Sequence, residues 1–180
     1  MRLALGLALL FGLASAASAG DYTDEAALTD LFAQLRAATS EEQAQAIDDQ
    51  IWRVWTTPTD ALLQARMQEA IDARDRGDPQ AAIAVLDKLV EDYPTYAEAW
   101  NQRATMHYIT GNFDASIADC GKVLELEPRH FGALAGRALM YLQQGRRALA
   151  LRDMATALAI HPFLVERRLF PELQQEVTRV

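Results

Sequence analysis

Residues 97–130 read AEAWNQRATMHYITGNFDASIADCGKVLELEPRH, and this stretch decides the fold. Its pattern predicts a helix, a tight turn at Gly111 and a second helix that ends at Pro128. Trp100, Ala104 and His107 recur at i, i+4 and i+7, which places them on one stripe of the first helix. Glycine suits the end of that helix because the position after the cap needs the left-handed conformation. Proline ends the second helix because it lacks a backbone donor.

The same landmarks recur every 34 residues along the chain. They are the glycines Gly77, Gly111 and Gly145, the alanines Ala70, Ala104 and Ala138, and the prolines Pro94, Pro128 and Pro162. Three landmarks that keep one period over three copies predict three helical hairpins, at residues 63–96, 97–130 and 131–164. A helix–turn–helix unit of this length is the period of the tetratricopeptide repeat (TPR).

Over residues 63–164 the chain resembles the tetratricopeptide repeat family. The tryptophan that the family carries at position four is kept only in Trp100, whereas Arg66 and Leu134 depart from it. The resemblance implies an all-α fold, an α-α superhelix (TPR solenoid) of right hand. In it the first helix of each repeat lines a concave groove that binds a partner.

Positions seven and twenty-three of the repeat change together from copy to copy. They are Arg103 with Asp119 in the second repeat, Arg137 with Asp153 in the third, and Glu69 with Val85 in the first. The planar guanidinium of arginine binds a carboxylate through two parallel hydrogen bonds. We therefore predict partly buried ion pairs within the second and third repeats; the alternative is solvent-exposed charges that contribute little.

The segments that flank the repeats are predicted to cover their ends, because the end of a solenoid exposes an apolar face. Residues 20–62 read as a divergent helical hairpin, whose second helix opens with a capping box at Ser40. We expect this hairpin to cover the first repeat. Trp52 and Trp55 lie on its second helix, where they fit the core or, alternatively, a ligand site. Residues 165–180 are predicted to form a C-terminal capping helix, with Pro171 at a helix start.

Residues 1–19 have the pattern of a cleavable signal peptide. Arg2 supplies a positive start, residues 3–13 are apolar, and Ala17 and Ala19 form a small-residue cleavage site. The alternatives are an uncleaved anchor and a buried amphipathic helix. The apolar run is too short for a comfortable membrane span. No cysteine lies near the cleavage site, which excludes a lipoprotein anchor. The sequence thus predicts cleavage before Gly20, a periplasmic location and no stable membrane anchor afterwards.

Charge is distributed unevenly over the 180 residues, whose net charge is −8. Residues 20–128 carry 21 acidic and 8 basic side chains, whereas residues 129–180 carry 4 acidic side chains and 8 arginines. Such asymmetry is typical of a polarised binding surface or of a well-solvated helical surface. An acidic chain whose basic end lacks interleaved aromatic residues gives no indication of nucleic-acid binding.

No catalytic, cofactor or metal motif stands out in the sequence. Cys120, the only cysteine, falls on a core position, which favours a buried inert thiol over a nucleophile. His107, His130 and His161 are scattered and have no partner at metal-ligand spacing. Adjacent acids such as Asp48 and Asp49 read as a solvated helix face. We therefore expect no enzyme, no cofactor and no metal.

The resemblance places the groove at positions two, five, nine, twelve and thirteen of each repeat. The candidate partner-binding residues at these positions are Met67, Ile71, Arg74, Glu98, Asn101, Thr105, Tyr108, Ile109, Leu139 and Leu142. The family's carboxylate-clamp subclass uses Lys and Asn at groove positions to hold a C-terminal carboxylate. Met67, Ile71 and Gly132 occupy such positions here, so that subclass is not supported.

Two functions remain open from the sequence. The first is a periplasmic adaptor that binds a protein or peptide in its groove, in envelope assembly, cell division or cytochrome maturation. The second is a structural subunit whose groove is filled by its own C-terminal helix, through Leu169, Phe170 and Leu173. Such a subunit acts through its convex surface or by homo-oligomer formation. An enzyme with an unrecognised site is a third and weaker alternative.

Overall fold

The computed structural model describes residues 22–174, and this part of the chain is entirely helical. Its eight α-helices are α1 (Glu25–Ala37), α2 (Glu41–Thr56), α3 (Ala61–Asp75), α4 (Pro79–Asp92), α5 (Ala97–Ile109), α6 (Phe113–Leu126), α7 (Phe131–Gln143) and α8 (Arg147–Ile160). Two 3₁₀ helices follow, at Val165–Leu169 and Pro171–Gln174. The predicted all-α solenoid is thus confirmed. The predicted signal peptide lies outside the described residues.

Helices α3 to α8 form the three predicted repeats, and each pair is joined by a glycine turn. Gly77, Gly111 and Gly145 have φ angles of 76°, 79° and 71°. In the middle turn the N–H of Gly111 bonds the carbonyl of Tyr108, and the N–H of Asn112 bonds that of His107. This is the Schellman arrangement, which satisfies the last carbonyls of the helix and needs a left-handed residue. The prediction for Gly111 is confirmed.

Ion pairs link the two helices of the second and third repeats, as predicted. Arg103 binds Asp119 through Nε and Nη2, at 2.8 and 2.7 Å. Arg137 Nε lies 2.6 Å from Asp153 Oδ2. Both carboxylates are buried, at 7% and 4% side-chain exposure, so each needs a cation beside it.

The N-terminal hairpin lies against the third repeat, and the expectation that it covers the first repeat is wrong. Phe32 of α1 contacts Phe131 of α7, with ring centroids 6.4 Å apart. Residues of α1 and α2 share one buried core with α7 and α8. The first repeat has its own core, which Tyr22 joins among the described residues before α3, and Tyr96 of that core donates a buried hydrogen bond to the carbonyl of Trp55. The apolar face of the hairpin is thus removed from water against α7 and α8.

The C-terminal segment caps the third repeat without forming the predicted α-helix. Residues 165–174 form the two 3₁₀ helices, and residues 175–180 lie outside the described part. Phe170 is fully buried in the core shared with α7 and α8, Leu173 is half-buried, and Leu169 is 54% exposed. Phe170 and Leu173 therefore cap this core, whereas Leu169 is exposed, and the three side chains do not fill the groove as one helix. No helix within residues 22–174 is long and apolar enough to cross a membrane.

Candidate functional site

A cleft of about 330 Å³ lies on the side of the first helices of the second and third repeats. Its floor comes from α5 and α7, through Asn101, Thr105, Gly132, Ala135, Gly136 and Leu139. One wall is the hairpin helix α2, and the other is the segment 163–166 that follows α8. The cleft therefore occupies the place where the resemblance puts the groove, narrowed by elements from both ends of the chain.

Two glycines of α7 give the cleft its floor, four residues apart on one helix face. A Cβ on Gly132 would lie 2.7 Å from Cη2 of Trp52, so the indole packs directly onto the backbone there. A Cβ on Gly136 would meet no atom within 4 Å. Gly132 thus permits the hairpin to approach α7, whereas Gly136 leaves open space in the cleft.

The floor continues into a smaller apolar pocket of about 180 Å³. Asn101, Thr105 and Tyr108 of α5 border this pocket together, on one face of the helix. The Tyr108 ring is 39% exposed, and its hydroxyl accepts a hydrogen bond from Gln143. Ile109 is 57% exposed and does not line the cleft or this pocket. This end of the cleft combines apolar area with polar groups.

A buried polar cluster anchors the hairpin beside the cleft. The Trp55 indole stacks on the His130 imidazole, with centroids 4.0 Å apart and planes 6° apart. The backbone N–H of Ala133 donates to Nδ1 of His130, so Nε2 carries the ring proton and donates to Glu98 at 3.0 Å. His130 therefore caps α7, supports Trp55 and holds a buried carboxylate at once.

The walls of the cleft are acidic. Glu41 and Asp48 come from α2, and Glu166 comes from the opposite wall. One oxygen of Asp48, Oδ1, and one of Glu166, Oε2, are buried and have no hydrogen-bond partner. Burial, together with the charges of Asp49 and Glu166, raises the pKa of Asp48 to about 6, against a hydrogen bond with the Trp52 side chain that lowers it. Among the described residues that line the cleft, none is lysine or arginine.

The predicted groove residues divide between the cleft, the core and the surface. Asn101, Thr105, Tyr108 and Leu139 line the cleft or its pocket. Met67 and Glu98 are 0% and 1% exposed, which corrects the expectation that they face an open groove.

The other groove candidates lie outside the cleft. Ile71 is half-buried on the core of the first repeat, and Leu142 is half-buried on the core shared by the hairpin and the third repeat. Arg74 bonds Gln102 at 3.0 Å and Asp75 at 2.9 Å. The structure therefore brings together Asn101, Thr105, Tyr108 and Leu139, and it leaves the candidates of the first repeat apart.

Three wall residues were not among the predicted site residues. The sequence places Trp52 in the core or, alternatively, in a ligand site, Asp48 on a solvated face, and Glu166 in the capping helix. Trp52 does pack on core rings, yet it also lines the cleft. The one sequence signal for this wall is the spacing of Gly132 and Gly136, which leaves a helix face without side chains.

The side chains of the types most often used in catalysis, a thiol and an imidazole, lie in structural positions. Cys120 is buried, and burial raises the pKa of its thiol to about 12, so the thiol stays protonated at neutral pH. Burial lowers the pKa of His161, whose Nδ1 accepts the N–H of Phe163. Within residues 22–174 no three His, Cys, Asp or Glu side chains gather as metal ligands.

A match to a protein-family model shows which family this chain belongs to. The model described as tetratricopeptide repeat matches residues 67–123 and 110–164, more than half of the chain. The chain belongs to the tetratricopeptide repeat family. It is 36% identical over 135 residues to a TPR repeat-containing protein of Rhizobium etli, which covers 75% of the chain and 66% of the relative. It is 35% identical over 91 residues to the human Protein SGT1 homolog, covering 51% of the chain and 25% of that protein. The TPR chain thus spans just under two thirds of one relative and a quarter of the other.

Solved TPR structures share the fold. The first TPR of Spaghetti (RPAP3), bound to the HSP90 peptide SRMEEVD, matches with a TM-score of 0.59 and 16% identity, over 64% of this chain and 92% of that one. MamA matches with a TM-score of 0.52 and 18% identity, over 85% and 80%. At these identities the likeness concerns the solenoid alone.

Proposed function

We propose that this TPR chain is a non-enzymatic adaptor of the bacterial periplasm that holds a protein or peptide partner in the cleft. The observation that carries the proposal is the cleft itself, whose apolar floor is bordered by an exposed tyrosine and by polar groups. An aromatic ring supplies contact area, and hydrogen-bonding groups beside it select the register of a bound segment. A role in envelope assembly, cell division or cytochrome maturation fits such an adaptor.

Peptide binding by related folds supports the class of partner. The RPAP3 domain was solved with an HSP90 peptide, and the TPR2B domain of yeast Sti1 in an Hsp70 complex. The cleft here differs in chemistry from a clamp for a C-terminal carboxylate, because its walls carry three acids and no lysine or arginine among the described lining residues. We therefore propose an internal segment of a partner as the ligand.

The periplasmic location rests on the sequence of residues 1–19. N-terminal sequencing of the exported protein is expected to begin at Gly20. An intact Met1 on a membrane-bound product would contradict both the cleavage and the location.

Site-directed photocrosslinking in cells tests the cleft as the working surface. A photoreactive residue in place of Thr105, which is exposed on α5, is expected to crosslink a partner. The same residue in place of Glu125, which is exposed on the outer helix α6, is the matched control. Adding Gly136→Phe fills the open space of the cleft and is expected to remove the Thr105 crosslink.

Gly121→Phe controls for the introduction of a phenylalanine into a helix. Gly121 lies on α6, and a Cβ there meets no atom within 4 Å. Crosslinks that survive Gly136→Phe, or that form equally from position 125, would reject the cleft. They would favour the structural subunit that acts through its convex surface or by self-association.

A further inference from the structure

We infer that the cleft selects a partner segment by one positively charged side chain, an arginine in preference to a lysine, seated between Asp48 and Glu166 and beside Trp52. This inference rests on the proposed function and adds the chemistry of the partner to it. The three residues come from two walls that only the folded chain brings together, α2 and the segment after α8.

Two buried carboxylate oxygens give the first reason to expect a positively charged ligand. Asp48 Oδ1 and Glu166 Oε2 are both buried without a hydrogen-bond donor. A buried acceptor that has no donor costs free energy, and a carboxylate costs more than a neutral group. Two carboxylates on facing walls also repel each other. A guanidinium placed in the cleft between the two walls offsets both negative charges and removes the repulsion.

The charge of the whole cleft points the same way. Glu41 adds a third acid at the start of α2. Among the described lining residues, His161 is the only one whose side chain can become positively charged. His161 accepts a backbone hydrogen bond at Nδ1 and its pKa is lowered by burial, so it stays neutral at pH 7. Walls of one sign around an apolar floor concentrate the field that attracts a cation.

The remaining surface matches the rest of a basic side chain. Gly136 leaves room above the floor, and Leu139 and Ala135 offer apolar contact for a methylene stem. The half-buried indole of Trp52 lines the same space, and arginine stacks on such rings more favourably than lysine. The planar fork of arginine also reaches two separate carboxylates, which a point charge does less well.

A defined peptide pair tests the inference without knowledge of the partner. The probes are acetyl-Gly-Leu-Arg-Leu-Gly-amide and the same peptide with Gln in place of Arg, titrated into the exported chain to about 5 mM, which detects millimolar affinity. The readout is the indole N–H resonance of Trp52 in ¹H–¹⁵N NMR spectra, assigned with Trp52→Phe. The Arg peptide is expected to bind about tenfold more tightly than the Gln peptide, and a Lys peptide between the two.

Three variants separate the inference from the proposed function. The double variant Asp48→Asn, Glu166→Gln keeps the side-chain shapes and is expected to reduce Arg-peptide affinity to that of the Gln peptide. Gly136→Phe is expected to abolish binding of both peptides, and Gly121→Phe to abolish neither. Circular dichroism confirms that each variant is folded.

Each outcome decides the question. Equal affinity for the Arg and Gln peptides, with both lost in Gly136→Phe, would overturn the inference and leave the cleft as a binding site. No saturable shift with the Arg peptide would also overturn it. Unchanged Arg-peptide binding in Gly136→Phe would overturn both. Self-association in sedimentation that the double variant abolishes, without peptide binding, would replace the peptide by an arginine of a second copy.

Discussion

Replacing Glu98 by Ala is expected to destabilise the protein strongly, because this carboxylate is the centre of a buried cluster. Its side chain is 1% exposed. It accepts hydrogen bonds from Nε2 of His130 at 3.0 Å, from Nε2 of Gln102 at 2.6 Å and from Nδ2 of Asn101 at 3.1 Å. His130 in turn supports Trp55 of the hairpin, so the substitution acts on the contact between the hairpin and the repeats.

The magnitude follows from the donors that are left behind. Removing one member of a buried polar pair typically costs about 3–5 kcal/mol, because the remaining group stays desolvated. Three donors lose their acceptor here, and their relaxation toward other groups limits the sum, so we expect about 3–5 kcal/mol in total. For a chain of this size each kcal/mol corresponds to about 2–4 °C, which gives a fall in Tm of roughly 6–20 °C.

Urea unfolding followed by far-UV circular dichroism measures this change. Glu125→Ala is the matched control, since Glu125 is 69% exposed in its side chain and pairs only with Lys122 among the described contacts. That variant is expected to change the free energy of unfolding by less than about 1 kcal/mol. If Glu98→Ala unfolds within about 1 kcal/mol of the wild type, the cluster does not anchor the hairpin and our account of Glu98 is refuted.

Three further predictions concern glycine positions and pH. Gly136→Ala is expected to raise the free energy of unfolding by about 0.5–1 kcal/mol, since helix propensity improves and the Cβ meets open space, whereas Gly132→Ala is expected to lower it by about 1–3 kcal/mol through the clash with Trp52; denaturant titration checks both signs. Gly111→Ala is expected to cost about 1 kcal/mol because φ is 79°, and an unchanged Tm would contradict it. Because the pKa of Asp48 is raised from its ordinary 3.8 to about 6, the folded protein keeps a proton that the unfolded chain releases in this window, and stability falls as pH rises through it. Asp48→Asn is therefore expected to raise stability above pH 6 and to flatten this part of a pH series of melting curves.

The repeats were predictable because their signals are local. Gly111 and Pro128 mark the ends of the two helices within one hairpin, and the 34-residue period repeats this pattern three times. Arg103 and Asp119 likewise lie within one repeat, 16 residues apart, and their co-occurrence predicted their contact. The position of the hairpin was not predictable in this way. An apolar face on α2 says that it will be buried, and it does not say against which repeat.

The candidate site was predicted in part for the same reason. Asn101, Thr105 and Tyr108 share a face because of helical geometry alone, and they line the cleft. Glu98 lies on that helix too, yet His130 of the next repeat draws it into the core. The acidic wall arises only when α2 and the segment after α8 meet, which no local pattern encodes.

The contact between the hairpin and the third repeat changes how this solenoid assembles. In an open array each repeat touches only its neighbours, so the array grows one unit at a time and unravels from its ends. Here Arg129 donates a hydrogen bond to Glu25 across 104 residues of chain, which ties α1 to the turn just before the third repeat, and the hairpin shares its buried core with α7 and α8 of that repeat. During synthesis the hairpin is made before α7 and α8, against which it packs. Its apolar face therefore stays exposed to solvent until the third repeat has been made. Closure of this long-range contact raises the contact order above that of an open array, which slows the final step of folding. Because they share one core, the hairpin and the third repeat are expected to unfold together as one cooperative unit.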